Sequence, residues 1–299
     1  MPEAPVVVVH GGSGALTPER LGTERAEVAR LGLRAALKAA IEPLLAGASA
    51  LEAALIAVRV LEDDEEFNAG RGSALTSART VEHDASVMDG ATGRGGAVAA
   101  ICGPRHPVEA ARAVMERTPH VLLVGEGATA VAREAGLPFE DPEWFVTDRR
   151  RRELELAGGE PTAGFGTVGA VALDQAGHVA AATSTGGMTG KAPGRIGDSP
   201  VIGAGTWAAD STCAVSGTGL GEAFVLAAFA HEVDARMRLA GASLAGACEA
   251  ALAAVSGGCI AVAPDGSIAM PFNTAGMYRG WIDADRQPHV AIFGGEEPG

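Results

Sequence analysis

Two hydrophobic periods alternate along the chain. Val6-Val7-Val8-Val9 is a continuous β-branched run, which suits a strand covered on both faces, and it is expected to stop at a sharp glycine-rich turn, His10-Gly11-Gly12-Ser13-Gly14. Residues 24–45 then place Val28, Leu31, Leu33, Ala36, Leu37 and Ile41 at helical spacing, and Ser49 is positioned to cap a second helix reaching about Leu61. Both read as covering helices. After the turn Phe67-Asn68-Ala69-Gly70-Arg71-Gly72, residues 84–90 and 96–101 predict the two strands of a hairpin. Pro107 opens a helix to about Arg117, residues 121–124 form a short extended piece, and 128–135 another helix.

From Asp148 to Gly164 the pattern lapses. Arg149-Arg150-Arg151-Arg152, Gly158-Gly159 and Pro161 make a charged, turn-rich passage without an apolar period, so about 148–166 reads as a flexible linker. Beyond it, residues 168–173 and 179–183 flank Asp174-Gln175-Ala176-Gly177 as a β-hairpin. Residues 213–216 are a further strand, and the turn Gly217-Thr218-Gly219-Leu220-Gly221-Glu222 leads into a helix to about Leu239. Ser243 caps another helix through Val255, and residues 259–263 and 268–270 pair across Asp265-Gly266. Helices interleaved with antiparallel hairpins predict one α/β domain over residues 1–299, with stacked sheets covered by helices on both sides.

Composition narrows the partners. The 42 glycines among 299 residues are about twice ordinary usage and show no collagen-like period, so they imply tight turns and close backbone approaches. A net charge of −14 argues against nucleic-acid or anionic-membrane partners and leaves small molecules or other subunits. The N-terminal residues carry neither a basic segment nor a long apolar one, so a cytoplasmic location is expected. Cys102, Cys213, Cys248 and Cys259 lack CxxC spacing and read as reduced, buried small residues. The acidic run Glu62-Asp63-Asp64-Glu65-Glu66 reads first as a solvated helix end, since consecutive side chains do not converge on a cation.

The second half of the chain carries candidate chemistry. Thr167, leading a strand, becomes a nucleophile with its own base if cleavage after Gly166 frees its α-amine, whose reference pKa is about 7.7 to 8.0. Arg195 and Asp198 suit the carboxylate and ammonium of an α-amino acid. The Thr218 hydroxyl and Gly219 amide suit an oxyanion, and Thr185 offers a further hydroxyl. Each has a plainer reading: Arg195 with Asp198 as a surface ion pair, Thr218-Gly219 as a helix-entry turn, Thr185 as a strand-end hydroxyl.

Four segments in order close that gap: Gly166-Thr167-Val168-Gly169-Ala170-Val171, Thr183-Ser184-Thr185-Gly186-Gly187-Met188, Pro193-Gly194-Arg195-Ile196-Gly197-Asp198-Ser199-Pro200 and Gly217-Thr218-Gly219. Together they resemble the plant-type L-asparaginase and isoaspartyl peptidase family. His10-Gly11-Gly12, Phe67-Asn68-Ala69-Gly70, residues 84–90, Pro119-His120-Val121 and Pro271-Phe272-Asn273-Thr274 extend the resemblance over nearly the whole chain.

The resemblance implies an N-terminal-nucleophile hydrolase with a four-layer αββα sandwich, cut between Gly166 and Thr167 into segments 1–166 and 167–299. It implies Thr167 as nucleophile, Thr185 orienting it, Asn68 nearby, Arg195 and Asp198 holding substrate, and Thr218 with Gly219 as oxyanion hole. It further implies no organic cofactor, a structural sodium ion on main-chain carbonyls near Leu61, Glu62 and Phe67, and a dimer of cleaved protomers. The implied substrates are L-asparagine and isoaspartyl dipeptides. A glycosylasparaginase and an uncleaved amino-acid-binding protein are the alternatives. Two departures bear on self-cleavage, which needs a strained, reachable scissile bond: Phe165 stands where the family commonly has a polar residue, and the linker is short.

Overall fold

The computed structural model describes residues 5–162, 166–282 and 286–296. In chain order, the first half comprises β1 (Val6–Gly14), α1 (Pro18–Leu21), α2 (Thr23–Leu45), α3 (Ala50–Asp63), β2 (His83–Asp89), β3 (Gly95–Ile101), α4 (Pro107–Arg117), β4 (Leu122–Val124), α5 (Gly125–Glu134), α6 (Pro142–Phe145) and α7 (Asp148–Leu156). The second half comprises β5 (Val168–Leu173), β6 (Val179–Thr185), β7 (Thr206–Ala209), β8 (Cys213–Gly219), α8 (Gly221–Ala227), α9 (Phe229–Ala240), α10 (Leu244–Leu252), β9 (Gly257–Val262), β10 (Ile268–Ala269), β11 (Gly276–Ile282) and β12 (His289–Phe293).

Eight strands pair in the order β12-β11-β1-β5-β6-β2-β3-β4, and four in the order β10-β9-β8-β7. Strand parity sorts the core into layers. On β1, Val7 and Val9 join Leu33, Leu37 and Ala54 of the first helix layer, whereas Val6 and Val8 pack with Ala214, Ile260 and Val262 of the second sheet. The far face of that sheet packs Val215 and Cys259 against Val233 and Cys248 of α9 and α10. The result is the expected αββα sandwich.

Several expectations are corrected. The glycine-rich segment after Val9 is no turn: β1 continues to Gly14, with a bulge between His10 and Gly12 where Gly12 takes φ 110°. It does so because it pairs there with β11, a strand unforeseen in the sequence, as were β7 and β12. The helix expected to run unbroken to Leu239 is divided at Ala228, which adopts a left-handed φ of 46°. The passage expected to be a linker opens as α7, capped by the Thr147 side chain on Arg150 N–H, with Arg150 and Leu154 buried. Arg150 Nε donates to the Gly72 carbonyl and Nη1 to Glu153, so the arginine run is a docked helix.

The acidic run is also not uniformly solvated. Glu62 is fully buried and accepts from Ser184 Oγ (2.6 Å) and Val108 N–H (3.0 Å), and burial raises its carboxyl to about 8. Glu66 pairs with Arg25 and Arg149. Cys213, Cys248 and Cys259 are buried free thiols as expected, but Cys102 is exposed.

Candidate active site

Thr167 immediately precedes β5 and is 8% exposed. The pairing of Val168 with Ser184 puts it beside Thr185 at the end of β6. Thr167 Oγ1 lies 3.3 Å from Thr185 Oγ1 and 3.5 Å from Ser199 Oγ. Thr185 Oγ1 accepts the Gly187 N–H at 3.0 Å, which fixes its rotamer and turns its proton away from that loop. Sequence reasoning had not singled out Ser199, because only the folded chain carries it back to Thr167.

One cavity brings together Thr167, Thr185, Arg195, Asp198 and Gly219, with Gly166 at its edge. Arg195 and Asp198 are not a surface ion pair. Arg195 is gripped by Glu222, through Nε at 2.8 Å and Nη2 at 2.7 Å. Asp198 is 4% exposed and its Oδ2 has no hydrogen-bond partner among the described residues. Burial raises its carboxyl to about 7, with the nearby Arg195 acting in the opposite direction. Both heads converge over Gly221, where a Cβ would sit 2.9 Å from Arg195 Nη2 and 3.0 Å from Asp198 Oδ1. A guanidinium and a carboxylate with one unpaired oxygen, at one point, suit a small zwitterion.

Gly219 lines the cavity, and a Cβ there would meet the Ser256 carbonyl at 2.4 Å. Thr218 is fully buried behind it. Its Oγ1 accepts the Ser13 N–H at 3.3 Å, and its carbonyl accepts from Ser13 Oγ at 3.0 Å.

Gly166 is held from two sides. A Cβ on Gly12 would lie 2.6 Å from Gly166 Cα, and one on Gly166 would lie 2.6 Å from Asn68 Cβ. Asn68 is itself fixed, donating to the Gly187 carbonyl (2.6 Å) and accepting from Ala74 N–H (2.7 Å). Phe165 lies outside the described residues.

His10 is fully buried above Gly169, with its Nε2 2.9 Å from Ser216 Oγ. Burial lowers its ring to about 3, against the main chain of Thr167, which favours the protonated form. Imidazole at this position is therefore neutral near pH 7.

Among the described residues no group of three or more His, Cys, Asp or Glu side chains is arranged to hold a metal ion. Main-chain carbonyls crowd the Phe67–Gly72 turn: a Cβ on Gly70 would meet the Glu62 carbonyl at 2.4 Å, and one on Gly72 the carbonyls of Glu65 (2.5 Å) and Phe67 (2.9 Å). Among the described residues no helix is long and apolar enough to cross a membrane.

A four-layer α/β sandwich with a buried threonine leading an inner strand, beside a cavity lined by Arg195 and Asp198, has the side chains an amide-cleaving enzyme needs. Comparison with known proteins agrees. The family described as "Asparaginase" matches residues 3–292. The "Isoaspartyl peptidase" of Salmonella typhimurium is 46% identical over 307 residues, covering 96% of this chain and 98% of that protein. The Escherichia coli "Isoaspartyl peptidase" is 44% identical, with 96% of each covered, and the "Plant-type L-asparaginase" of Pyrobaculum calidifontis 39% identical, covering 92% of this chain and 96% of its own. The chain belongs to the asparaginase family.

Proposed function

We propose that the protein cleaves itself before Thr167 and then hydrolyses L-asparagine and β-aspartyl dipeptides through that threonine. The observation that carries this is the meeting of the Thr167 and Thr185 hydroxyls in the cavity holding Arg195 and Asp198. In self-cleavage, Thr167 Oγ1 attacks the Gly166 carbonyl carbon, the amide nitrogen leaves as the new α-amine, and water hydrolyses the resulting ester. Gly12 and Asn68 confine Gly166 during that attack.

In turnover, Arg195 takes the substrate's α-carboxylate and Asp198, ionised, its α-ammonium. The Thr167 α-amine takes the hydroxyl proton as Oγ1 attacks the side-chain carbonyl carbon. The oxyanion is held by the Gly219 amide and the Thr218 hydroxyl. The α-ammonium returns its proton to the departing ammonia or peptide amine. Water then attacks the β-aspartyl ester and releases aspartate, restoring Thr167. Thr185, fixed by Gly187, orients the nucleophile.

No organic cofactor takes part. This reading includes a sodium ion on main-chain carbonyls near Leu61, Glu62 and Phe67: the Glu62 and Phe67 carbonyls crowd the Phe67–Gly72 turn, and such oxygens are the donor type that hard cations prefer. When bound it supplies rigidity to the loop carrying Asn68. The working form is read as a dimer of cleaved protomers. The test is release of aspartate from L-asparagine and from a β-aspartyl dipeptide, with glycosyl-asparagine as the comparison. Turnover of glycosyl-asparagine alone would replace this reading with glycan trimming, and saturable aspartate binding without turnover would replace it with a binding protein.

A further inference from the structure

The layer between the two sheets changes character near the site. Far from it the facing residues are apolar: Val6 and Val8 on β1, Val179 and Ala181 on β6, Met88 on β2, Ala208 on β7, Ala214 on β8. Two residues nearer the site on each of these strands, the same face carries His10, Thr183, Ser86, Thr206 and Ser216, all fully buried. On β5 the equivalent step is Gly169, and its missing Cβ leaves room for two of them to meet, since a Cβ there would lie 2.1 Å from Ser216 Oγ and 2.4 Å from His10 Nε2. Five strands exchange an apolar residue for a polar one at matched depth.

These groups form one unbroken chain. His10 Nε2 is 2.9 Å from Ser216 Oγ, Ser216 Oγ 2.7 Å from Thr183 Oγ1, and Thr206 Oγ1 donates to Thr183 Oγ1 at 2.5 Å. Ser86 Oγ reaches Thr206 Oγ1 at 2.8 Å and donates to the Ser199 carbonyl at 2.6 Å. One end is the residue before Gly11-Gly12, which confines Gly166. The other is the main chain of Ser199, whose own hydroxyl faces Thr167 Oγ1 and whose neighbour is Asp198.

We propose that this buried polar chain is a positioning device, with His10 and Thr183 as its positioning residues: it ties the β1 bulge against the scissile bond to the Ser199 wall of the substrate cavity, and so sets the separation of nucleophile and substrate. The role rests on the reading of Thr167 as nucleophile. Hydrogen bonds suit it better than apolar contact because they fix direction as well as distance, and a buried chain is satisfied in one arrangement of its backbones.

The experiment compares Thr183→Val with Thr183→Ser, and His10→Gln with His10→Leu, in the full chain. Valine keeps shape but breaks the chain, while serine keeps the hydroxyl; glutamine keeps a polar group where Nε2 stands, while leucine does not. Expected for Thr183→Val and His10→Leu are self-cleavage and kcat lowered about 10- to 100-fold with KM nearly unchanged, and rescue in Thr183→Ser and His10→Gln to within a few-fold of wild type. Equal loss in serine and valine variants, or loss confined to KM, overturns the role. Should the valine or leucine variant not fold, nitrogen NMR of the wild-type His10 ring decides. A ring held as a single neutral tautomer with a hydrogen-bonded Nε2 across about pH 5 to 9 supports the chain, and a ring that exchanges between tautomers or has a free Nε2 overturns it. A wild type that neither self-cleaves nor turns over β-aspartyl substrates while its His10 ring stays invariant would instead sink the nucleophile reading and leave the chain as structure only.

Discussion

Glu222 holds Arg195 with both carboxylate oxygens, at 2.8 Å to Nε and 2.7 Å to Nη2. The guanidinium therefore stands aimed at the cavity before any substrate arrives. Glu222 is itself about half exposed, so the pair matters for orientation more than for stability. Arg195→Lys keeps charge but loses the planar fork. Steady-state kinetics on L-asparagine are expected to show KM raised about tenfold or more with kcat changed less. An unchanged KM would remove Arg195 from substrate recognition.

Asp198 gives the site a pH signature. Burial lifts its carboxyl from 3.8 to about 7, so between those values the folded protein holds a proton that the unfolded chain has lost. Its contribution to stability is thus full at low pH and lost as pH rises through about 7. Substrate binding runs the other way, because an ammonium needs the carboxylate. KM for L-asparagine is expected to fall as pH rises through about 7, and Asp198→Asn to raise KM and flatten that dependence. A wild-type KM independent of pH in that window would contradict the assignment.

Gly12→Ala tests the grip on the scissile bond. At φ 110° an alanine is strained, and its Cβ would stand 2.6 Å from Gly166 Cα. Self-cleavage, followed by gel over time, is expected to slow at least about tenfold. Cleavage at the wild-type rate would show that this contact does not guide the reaction.

Arg150→Ala tests whether the arginine run is structure. Its side chain is nearly buried and donates to the Gly72 carbonyl and Glu153. Losing a charged donor to a buried carbonyl is expected to cost about 2 kcal/mol, read as a lower denaturation midpoint of the uncleaved chain. A variant as stable as wild type would return residues 148–156 to the status of a loose linker.

These residues also mark how far the sequence could be read. Both helix-covered hairpins, β2 with β3 and β5 with β6, were legible because two short apolar runs lie next to each other with turn residues between them. Of the candidate site residues, Thr167, Thr185, Arg195, Asp198 and Gly219 meet in one cavity, each at the end of a strand or in a glycine-rich turn whose chemistry is local. Asn68 and Thr218 lie just behind it, against Gly166 and Ser13. Long-range contacts were not legible. Nothing near Arg195 in the chain names Glu222, and His10 meets Ser216 from 206 positions away. β11 was missed because Arg279 and two glycines break its apolar run, although all of Gly276–Ile282 is buried. α7 was missed because its hydrophobic face is little more than Leu154, and its stability comes from a cap and a docked guanidinium.

Intact mass with N-terminal sequencing, applied to wild type and Thr167→Ala after incubation near neutral pH, tests the central claim most directly. The wild type is expected to yield two chains, the second beginning Thr-Val-Gly, with aspartate release from L-asparagine appearing as the cut proceeds; Thr167→Ala should stay whole and inactive. A wild type that hydrolyses L-asparagine while remaining one uncut chain, or a Thr167→Ala variant that retains activity, would contradict Thr167 as the freed nucleophile.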